Sequence, residues 1–299
     1  MSERCLLVLG GEGQLGRALA ESTAPAGWRI VTLGRGEADI TQADGIARAI
    51  EAHNPAVVVN AAAYTAVDKA ESDAGTAIRI NRDGAGIVAR AAAAAKLPVI
   101  HVSTDYVFDG QAGRAWREDD AIAPLSVYGA SKAAGEAAIR QATARHVILR
   151  TSWVFGTHGQ NFVKTMLRLG AERPELRIID DQIGRPTYAG DLAQTITAIA
   201  VHLIDGAPAN GFGTFHFAGA DAVTWFGFAQ AIFAEASRRG GPHPVLLPIP
   251  TAQYPTPAKR PANSVLDCSK LKSVYDIQPR PWRDGLGECL DHLLRPPQS

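Results

Sequence analysis

The sequence predicts an α/β protein built on a doubly wound parallel sheet, with a smaller C-terminal α/β lobe. Continuous apolar runs recur along the first half, helix-length segments separate them, and the first run ends in a glycine-rich loop that opens a helix. Unbroken apolar runs mark strands buried on both faces, as in a parallel sheet. Right-handed crossovers then wind the helices over both sides.

The elements follow in order. Cys5-Leu6-Leu7-Val8-Leu9 is the first strand, and a helix is expected from Gln14 to Ser22. Arg29–Leu33, Ala56–Asn60, Val99–Ser103 and His146–Leu149 repeat the apolar theme. Asn81 to Lys96 is expected to be helical: it holds the alanine run Ala91–Ala95 and stops before Pro98. Beyond Phe155-Gly156 the pattern loosens. Asn161–Leu169 and Asp191–Leu203 look helical, and Asp205–Gly211 reads as a loop. Seven prolines between Pro242 and Pro261 predict mostly extended connection. No internal repeat is visible.

At 299 residues the chain suits one large domain with a lobe, or two intimate domains. Hydrophobic residues make up 46% and charged residues 20%, as in an ordinary globular protein. Thirty basic residues balance thirty acidic ones. Net charge therefore points to no nucleic-acid partner and no membrane surface, though a local basic pocket for phosphate is compatible with it. Cys5, Cys268 and Cys289 are an odd, widely spaced set with neither disulfide nor metal-ligand spacing, which favours a reducing cytoplasm. Met1–Arg4 runs straight into a strand, so no leader is expected. No apolar run approaches the ~20 residues of a membrane helix.

Gly10-Gly11-Glu12-Gly13-Gln14-Leu15-Gly16 follows the first strand directly and satisfies both G-x-x-G-x-x-G and G-x-G-x-x-G. Glycines permit the tight turn and let backbone N–H groups approach a pyrophosphate at a helix N-terminus. Alone they could form an ordinary strand-to-helix turn; between a strand and a helix near the N-terminus they predict Rossmann-type dinucleotide binding. Residues 1–155 are thus expected to be a dinucleotide-binding domain. Residues 156–299 would be mainly a substrate-binding lobe, with segments returning to the sheet. The second strand ends Leu33-Gly34-Arg35, without the acidic residue that grips an NAD ribose. Arg35 could face the 2′-phosphate of NADP or lie solvated on the surface. NADPH is mildly preferred, with NADH allowed.

Tyr128 and Lys132 have Y-x-x-x-K spacing, which puts both on one helix face. A free tyrosine, with a pKa of roughly 10, is a poor acid–base group at neutral pH. A neighbouring ammonium would lower that value, and the same lysine could hold ribose hydroxyls. A lone pair of this kind is usually a solvated helix face. Here it comes after four strand candidates and just past Ser103, Thr104 and Asp105, at the strand end where open sheets bind ligands. The Thr104 hydroxyl could bond the substrate carbonyl and tyrosine, or cap a backbone group.

Taken together, these residues resemble the extended short-chain dehydrogenase/reductase family, from the first strand to near residue 285. Asp39-Ile40-Thr41, Asn60 to Asp68, Ser103 to Gly110 and Ser126 to Lys132 carry the likeness, with Arg150 to Gly156, Asp181 to Thr187 and Arg260 to Ser264. Ala63-Tyr64-Thr65-Ala66-Val67-Asp68 and Ser103-Thr104-Asp105-Tyr106-Val107-Phe108-Asp109-Gly110 are the more specific strings and point to reductases of dTDP-linked keto-sugars. The resemblance implies hydride transfer from NADPH or NADH to C4 of dTDP-6-deoxy-L-lyxo-4-hexulose in a bacterial rhamnose pathway. Tyr128 would be the acid, Lys132 would tune it, and Thr104 would steady the oxygen. Asp39 and Ile40 would line the adenine region, and Ala62, Ala63, Tyr64 and Thr65 would continue the cofactor pocket. Thr104, Asp105 and Trp153 would face the sugar.

Plainer roles stay open: Asp39 as a helix N-terminal residue, Trp153 as core. Arg185 and Arg260 could bind the nucleotide diphosphate or pair with surface carboxylates. A homodimer is compatible with the family. Some of its members hold magnesium at a dimer contact, but Glu12, Asp191, Glu288 and Asp291 make no convincing trio and are expected on solvated surface. No catalytic metal is expected. Two other readings share the motifs: an epimerase or dehydratase recycling tightly held NAD, and a non-catalytic regulatory subunit. Asp105 partly fits a dehydratase, but the next residue is Tyr106, not glutamate.

Overall fold

The structure, a computed structural model, describes residues 3–206 and 210–294. Residues 207–209 of the loop expected at Asp205–Gly211 lie outside the described residues.

Six parallel strands form the central sheet: β1 Arg4–Leu9, β2 Trp28–Leu33, β3 Val57–Asn60, β4 Val99–Thr104, β5 His146–Thr151 and β6 Gly213–His216, in the spatial order β6-β5-β4-β3-β1-β2. The winding reverses between β1 and β3, so the crevice beyond their C-terminal ends is where a ligand should sit.

Side chains alternate across the sheet as the pleat requires. Leu6, Val8, Val57, Val59 and Ile100 pack on one face with α1 Gln14–Glu21. Leu7, Leu9, Val58 and Ile148 pack on the other with α2 Ala43–His53, α3 Ala85–Ala94 and α4 Val127–Ala142. Burial of both faces is why these strands read as unbroken apolar runs. Strand β6 pairs with β5 in register, Phe215 beside Leu149, so the sheet takes its last strand from far beyond residue 155. The three cysteines are free and buried.

The helix expected over Asn81–Lys96 begins earlier. Ala74–Ile78 is helical and continues through a π-helical turn, Arg79–Gly84, into α3. Buried Asn81 lies in this turn: its Oδ1 accepts the Tyr64 N–H at 2.8 Å, and its Nδ2 donates to Tyr64 O and to Ser131 Oγ. Its carbonyl lies against Gly135 of α4, where a Cβ would come within 2.1 Å. π-turns break the 3.6-residue period on which sequence reading rests.

The lobe is built from α5 Phe162–Glu172, α6 Ala189–Asp205, α7 Trp225–Ser237 and α8 Trp282–Leu293, of which α6 packs back on the sheet. Phe155, Met166, Phe228 and Trp282 form its core. Part of the proline-rich stretch is a strand: Val245–Ile249 pairs with Glu175–Ile179, and Pro248 is tolerated because this two-stranded sheet is all edge. No described helix is long and apolar enough to cross a membrane.

Helix α4 is fixed to the sheet by a buried carboxylate. Arg150 of β5 donates to both oxygens of Glu136 at 2.8 Å, Ser103 of β4 donates at 2.7 Å, and Arg140 at 2.9 Å. Glu136 has no exposure and Arg150 is 2% exposed. Burial pushes the carboxyl up, but the bonds and charge of Arg150, with Ser103 and Arg140, outweigh it and hold the group below the usual glutamate range. Its contribution to stability is therefore full at neutral pH and is lost as pH falls through that lowered value. Arg150→Met, which strands the carboxylate, is expected to lower stability by about 3–5 kcal/mol. Urea denaturation at pH 7 checks this; an unchanged midpoint would remove the ion pair from that role.

Candidate active site

A cavity of about 680 Å³ opens at the C-terminal ends of β1, β3, β4 and β5. Its size suits a small-molecule or cofactor site. Gly10, Glu12, Gly13, Gln14 and Leu15 form one wall. Gly10 has φ +92°, and a Cβ there would lie 2.6 Å from the Ala62 nitrogen, so only glycine lets the loop cross β3 so closely. Gly13 begins α1 and no side chain caps it, which leaves the helix N–H groups open to an anion. Gly11 and Gly16 do not line the cavity; they pack the loop against β2 and against its own backbone.

Around the mouth, Arg35 and Asp39 both line the cavity and pair with each other at 3.1 Å. Asp39 also accepts the Thr41 N–H and hydroxyl in a turn ahead of α2, whose N-cap is Gln42, so it does not cap that helix. Those bonds hold its carboxyl below the usual range. The Arg35 side chain is 67% exposed, free to swing toward a ligand. Glu12 lies against Gly34 and accepts the Arg35 backbone N–H. Ile40, Ala62, Ala63 and Thr65 complete this end. Tyr64 does not line it; its backbone is tied to Asn81 and its hydroxyl lies 3.4 Å from Asp73.

Deeper in the cavity, Thr104, Asp105, Tyr128, Lys132 and Trp153 converge. Ser126 caps α4 by accepting the Gly129 N–H, which starts the helix so that Tyr128 and Lys132 face the cavity one turn apart. Thr104 caps the backbone at the end of β4 and lines the cavity. Its hydroxyl accepts the Tyr106 N–H at 3.2 Å and donates to Asp105 Oδ1 at 3.0 Å, beside the Tyr128 phenol. Burial pushes the Tyr128 phenol up to about 12, with the Thr104 hydrogen bond pulling the other way. The expected lowering by Lys132 is not seen: the Lys132 Nζ donates to the Val102 carbonyl at 2.7 Å and lies 3.2 Å from His101 Nε2. Burial instead brings Lys132 down to about 8, opposed by Glu136. Tyr106 meets the Tyr128 ring edge-on with centroids 5.5 Å apart. Trp153 stands at φ +48° and stacks on Trp225 at 3.5 Å, so it is both cavity wall and part of the lobe core.

The structure does not bring the two arginines into the cavity. Arg260 forms a two-pronged pair with Asp68, at 2.7 and 3.1 Å. Arg185 donates to the Leu266 carbonyl at 2.9 Å and leaves its buried Nε without a partner. Asp191 is not solvated surface: its side chain is 12% exposed and pairs with Arg280, which also holds Glu288. Asp291 pairs with Arg239. Ser152, Gln160 and Leu192 also line the cavity; they come from three separate segments that only the fold assembles.

The family model described as RmlD substrate binding domain matches residues 4–295. The dTDP-4-dehydrorhamnose reductase of Aggregatibacter actinomycetemcomitans is 45% identical over 284 residues, 94% of this chain and 96% of that protein. The Escherichia coli dTDP-4-dehydrorhamnose reductase is 41% identical over 97% of this chain and 98% of its own. The crystal structure of dTDP-4-dehydrorhamnose reductase from Bacillus anthracis, in complex with NADP, superposes with a TM-score of 0.90 at 34% identity, covering 98% of this chain and 100% of that one.

Asp105 is the costly member of the cavity. It is 3% exposed, its Oδ2 has no hydrogen-bond partner, and burial pushes its carboxyl up to about 6 against the neighbouring hydroxyls of Ser264 and Thr104. A folded pKa above the unfolded one means the ionised form destabilises the fold as pH rises between the two values. Asp105→Asn is expected to be more stable than wild type by on the order of 2 kcal/mol at pH 8, with the advantage vanishing below pH ~4. Thermal unfolding across that pH range checks it; equal stability at pH 8 would sink the idea.

Proposed function

The chain belongs to the RmlD substrate binding domain family, and we propose that it catalyses NADPH-dependent reduction of the C4 keto group of dTDP-6-deoxy-L-lyxo-4-hexulose to dTDP-L-rhamnose. The observation that carries this reading is convergence: Thr104, Tyr128 and Lys132 meet in the cavity whose other wall is the uncapped start of α1.

That wall fits a dinucleotide. The open N–H groups of α1 and the close approach at Gly10 would take the pyrophosphate, and Arg35 would reach a ribose 2′-phosphate. Bound there, the cofactor supplies the hydride. Lys132 would hold ribose hydroxyls. Tyr128, kept protonated by burial, donates its proton to the C4 oxygen as charge develops on it. Thr104 hydrogen-bonds the same oxygen and steadies the charge. Trp153 and Asp105 would face the sugar, one with an apolar plane and the other with an unpaired carboxyl oxygen. Arg185 and Arg260 lie outside the cavity, bonded to the Leu266 carbonyl and to Asp68.

The direct test follows NADPH absorbance with the keto-sugar generated in place by its upstream epimerase. Oxidation that needs both sugar and protein and yields dTDP-L-rhamnose is expected; none with either NADPH or NADH would overturn the reading. Tyr128→Phe should lower turnover by about 10²–10⁴-fold without changing the unfolding midpoint. Arg35→Ala should raise KM for NADPH by roughly tenfold, the loss of one charge-assisted contact, and leave that for NADH unchanged. Equal effects on both cofactors would return Arg35 to the surface.

A further inference from the structure

A Rossmann-type fold places an acidic residue at the end of its second strand, about 20 residues past the glycine loop, to grip the adenosine ribose. This chain has Gly34-Arg35 there. A carboxylate nevertheless stands at that spot, and it comes from Glu12, inside the glycine loop. A Cβ built on Gly34 would lie 2.8 Å from Glu12 Cδ and 3.0 Å from its Oε1. The loop carboxylate thus fills the space that a side chain on Gly34 would take, and the glycine is what leaves that space open. Glu12 Oε2 accepts the Arg35 N–H at 3.3 Å, which holds the arm across the strand end. Its Oε1 accepts no hydrogen bond among the described residues. Glu12 lines the cavity next to Gly13, where α1 begins uncapped. The wall that would take the pyrophosphate and the carboxylate at the ribose end therefore belong to one loop.

The charges at this end are set against a second phosphate. Glu12, Asp39 and Arg35 line it. Asp39 is committed to Arg35 and to Thr41, so Arg35 is already paired and Glu12 is the carboxylate with an open oxygen. Glu37 adds a further carboxylate just outside the cavity, where it accepts the Gly34 N–H at 2.8 Å. Arg17 donates to the Glu12 carbonyl at 3.3 Å from α1 and does not line the cavity.

We propose that Glu12 is a specificity-determining residue for the cofactor: its carboxylate accepts the ribose 2′-hydroxyl of NADH and repels the 2′-phosphate of NADPH, against the pull of Arg35. A hydroxyl bonded to a carboxylate makes a charge-assisted hydrogen bond, whereas like charges brought together oppose binding. One residue thus supplies both the attraction to one cofactor and the repulsion of the other, from which discrimination is built. The proposal rests on the cofactor wall described above and not on which sugar is reduced.

Equilibrium titration of the full chain with NADH and with NADPH, read by the fluorescence of the reduced nicotinamide, gives both dissociation constants with no sugar present. In Glu12→Gln the amide oxygen can still accept the Arg35 N–H, so the loop is kept and the charge is removed. NADPH should then bind more tightly and NADH more weakly, moving the ratio of the two constants toward NADPH by about tenfold or more. An unchanged ratio would overturn the proposal, as would equal changes in both constants, because a merely structural role moves the two together. Glu37→Gln removes a neighbouring charge outside the cavity and should move the ratio by less than about threefold, since exposed charges are screened. A shift as large as that of Glu12→Gln would assign the effect to the general field and overturn the proposal too. Binding of neither cofactor by the unaltered protein would overturn this proposal and the cofactor reading together. A failed keto-sugar assay with cofactor binding intact counts against the sugar assignment alone.

Discussion

The Glu136 carboxylate sits where α4 crosses β4 and β5, and the reactive face of the molecule is set out from it. Arg150, Ser103 and Arg140 converge on its two oxygens, so helix and strands cannot slide past one another without stranding a charge in a sealed interior. Such a pair adds little net stability over an apolar replacement, but a register error becomes expensive. Lys132 is one turn before Glu136 and Tyr128 one turn before that, so the carboxylate locates both relative to Thr104 at the end of β4.

Around that rigid seam the cavity carries groups that work against the fold. Asp105 is buried without a partner for one oxygen, and Trp153 holds a left-handed backbone that a bulky residue rarely adopts. Stacking on Trp225 within the lobe core compensates for Trp153. Asp105 is compensated only in part, by the Thr104 hydroxyl on its other oxygen, and an open Oδ2 is the arrangement expected where a polar group awaits a ligand.

The strands, the glycine loop and the Tyr128–Lys132 spacing were legible because each is a local pattern tied to one period or one turn. The groups that orient them were not. Arg150 and Glu136 lie on different elements, as do His101 and Lys132, and each of these residues alone reads as an ordinary polar side chain. Arg260 stayed ambiguous for the same reason: its partner Asp68 is distant in sequence but adjacent in space. The expectation that Lys132 lowers the Tyr128 phenol followed from spacing, which cannot tell whether the ammonium turns toward the ring or, as here, toward His101 and Val102. The π-turn was invisible because it breaks the 3.6-residue period by which a helix is read.

Gly135 of α4 meets the Asn81 carbonyl at a separation that admits no side chain. The seam that holds the reacting groups is thereby closed to gradual change, since the smallest enlargement of that glycine forces backbone apart. The part of the cavity wall contributed by exposed Gln160 carries no such restriction. Descendants of this protein could therefore drift in what they accept long before they could drift in what they do to it.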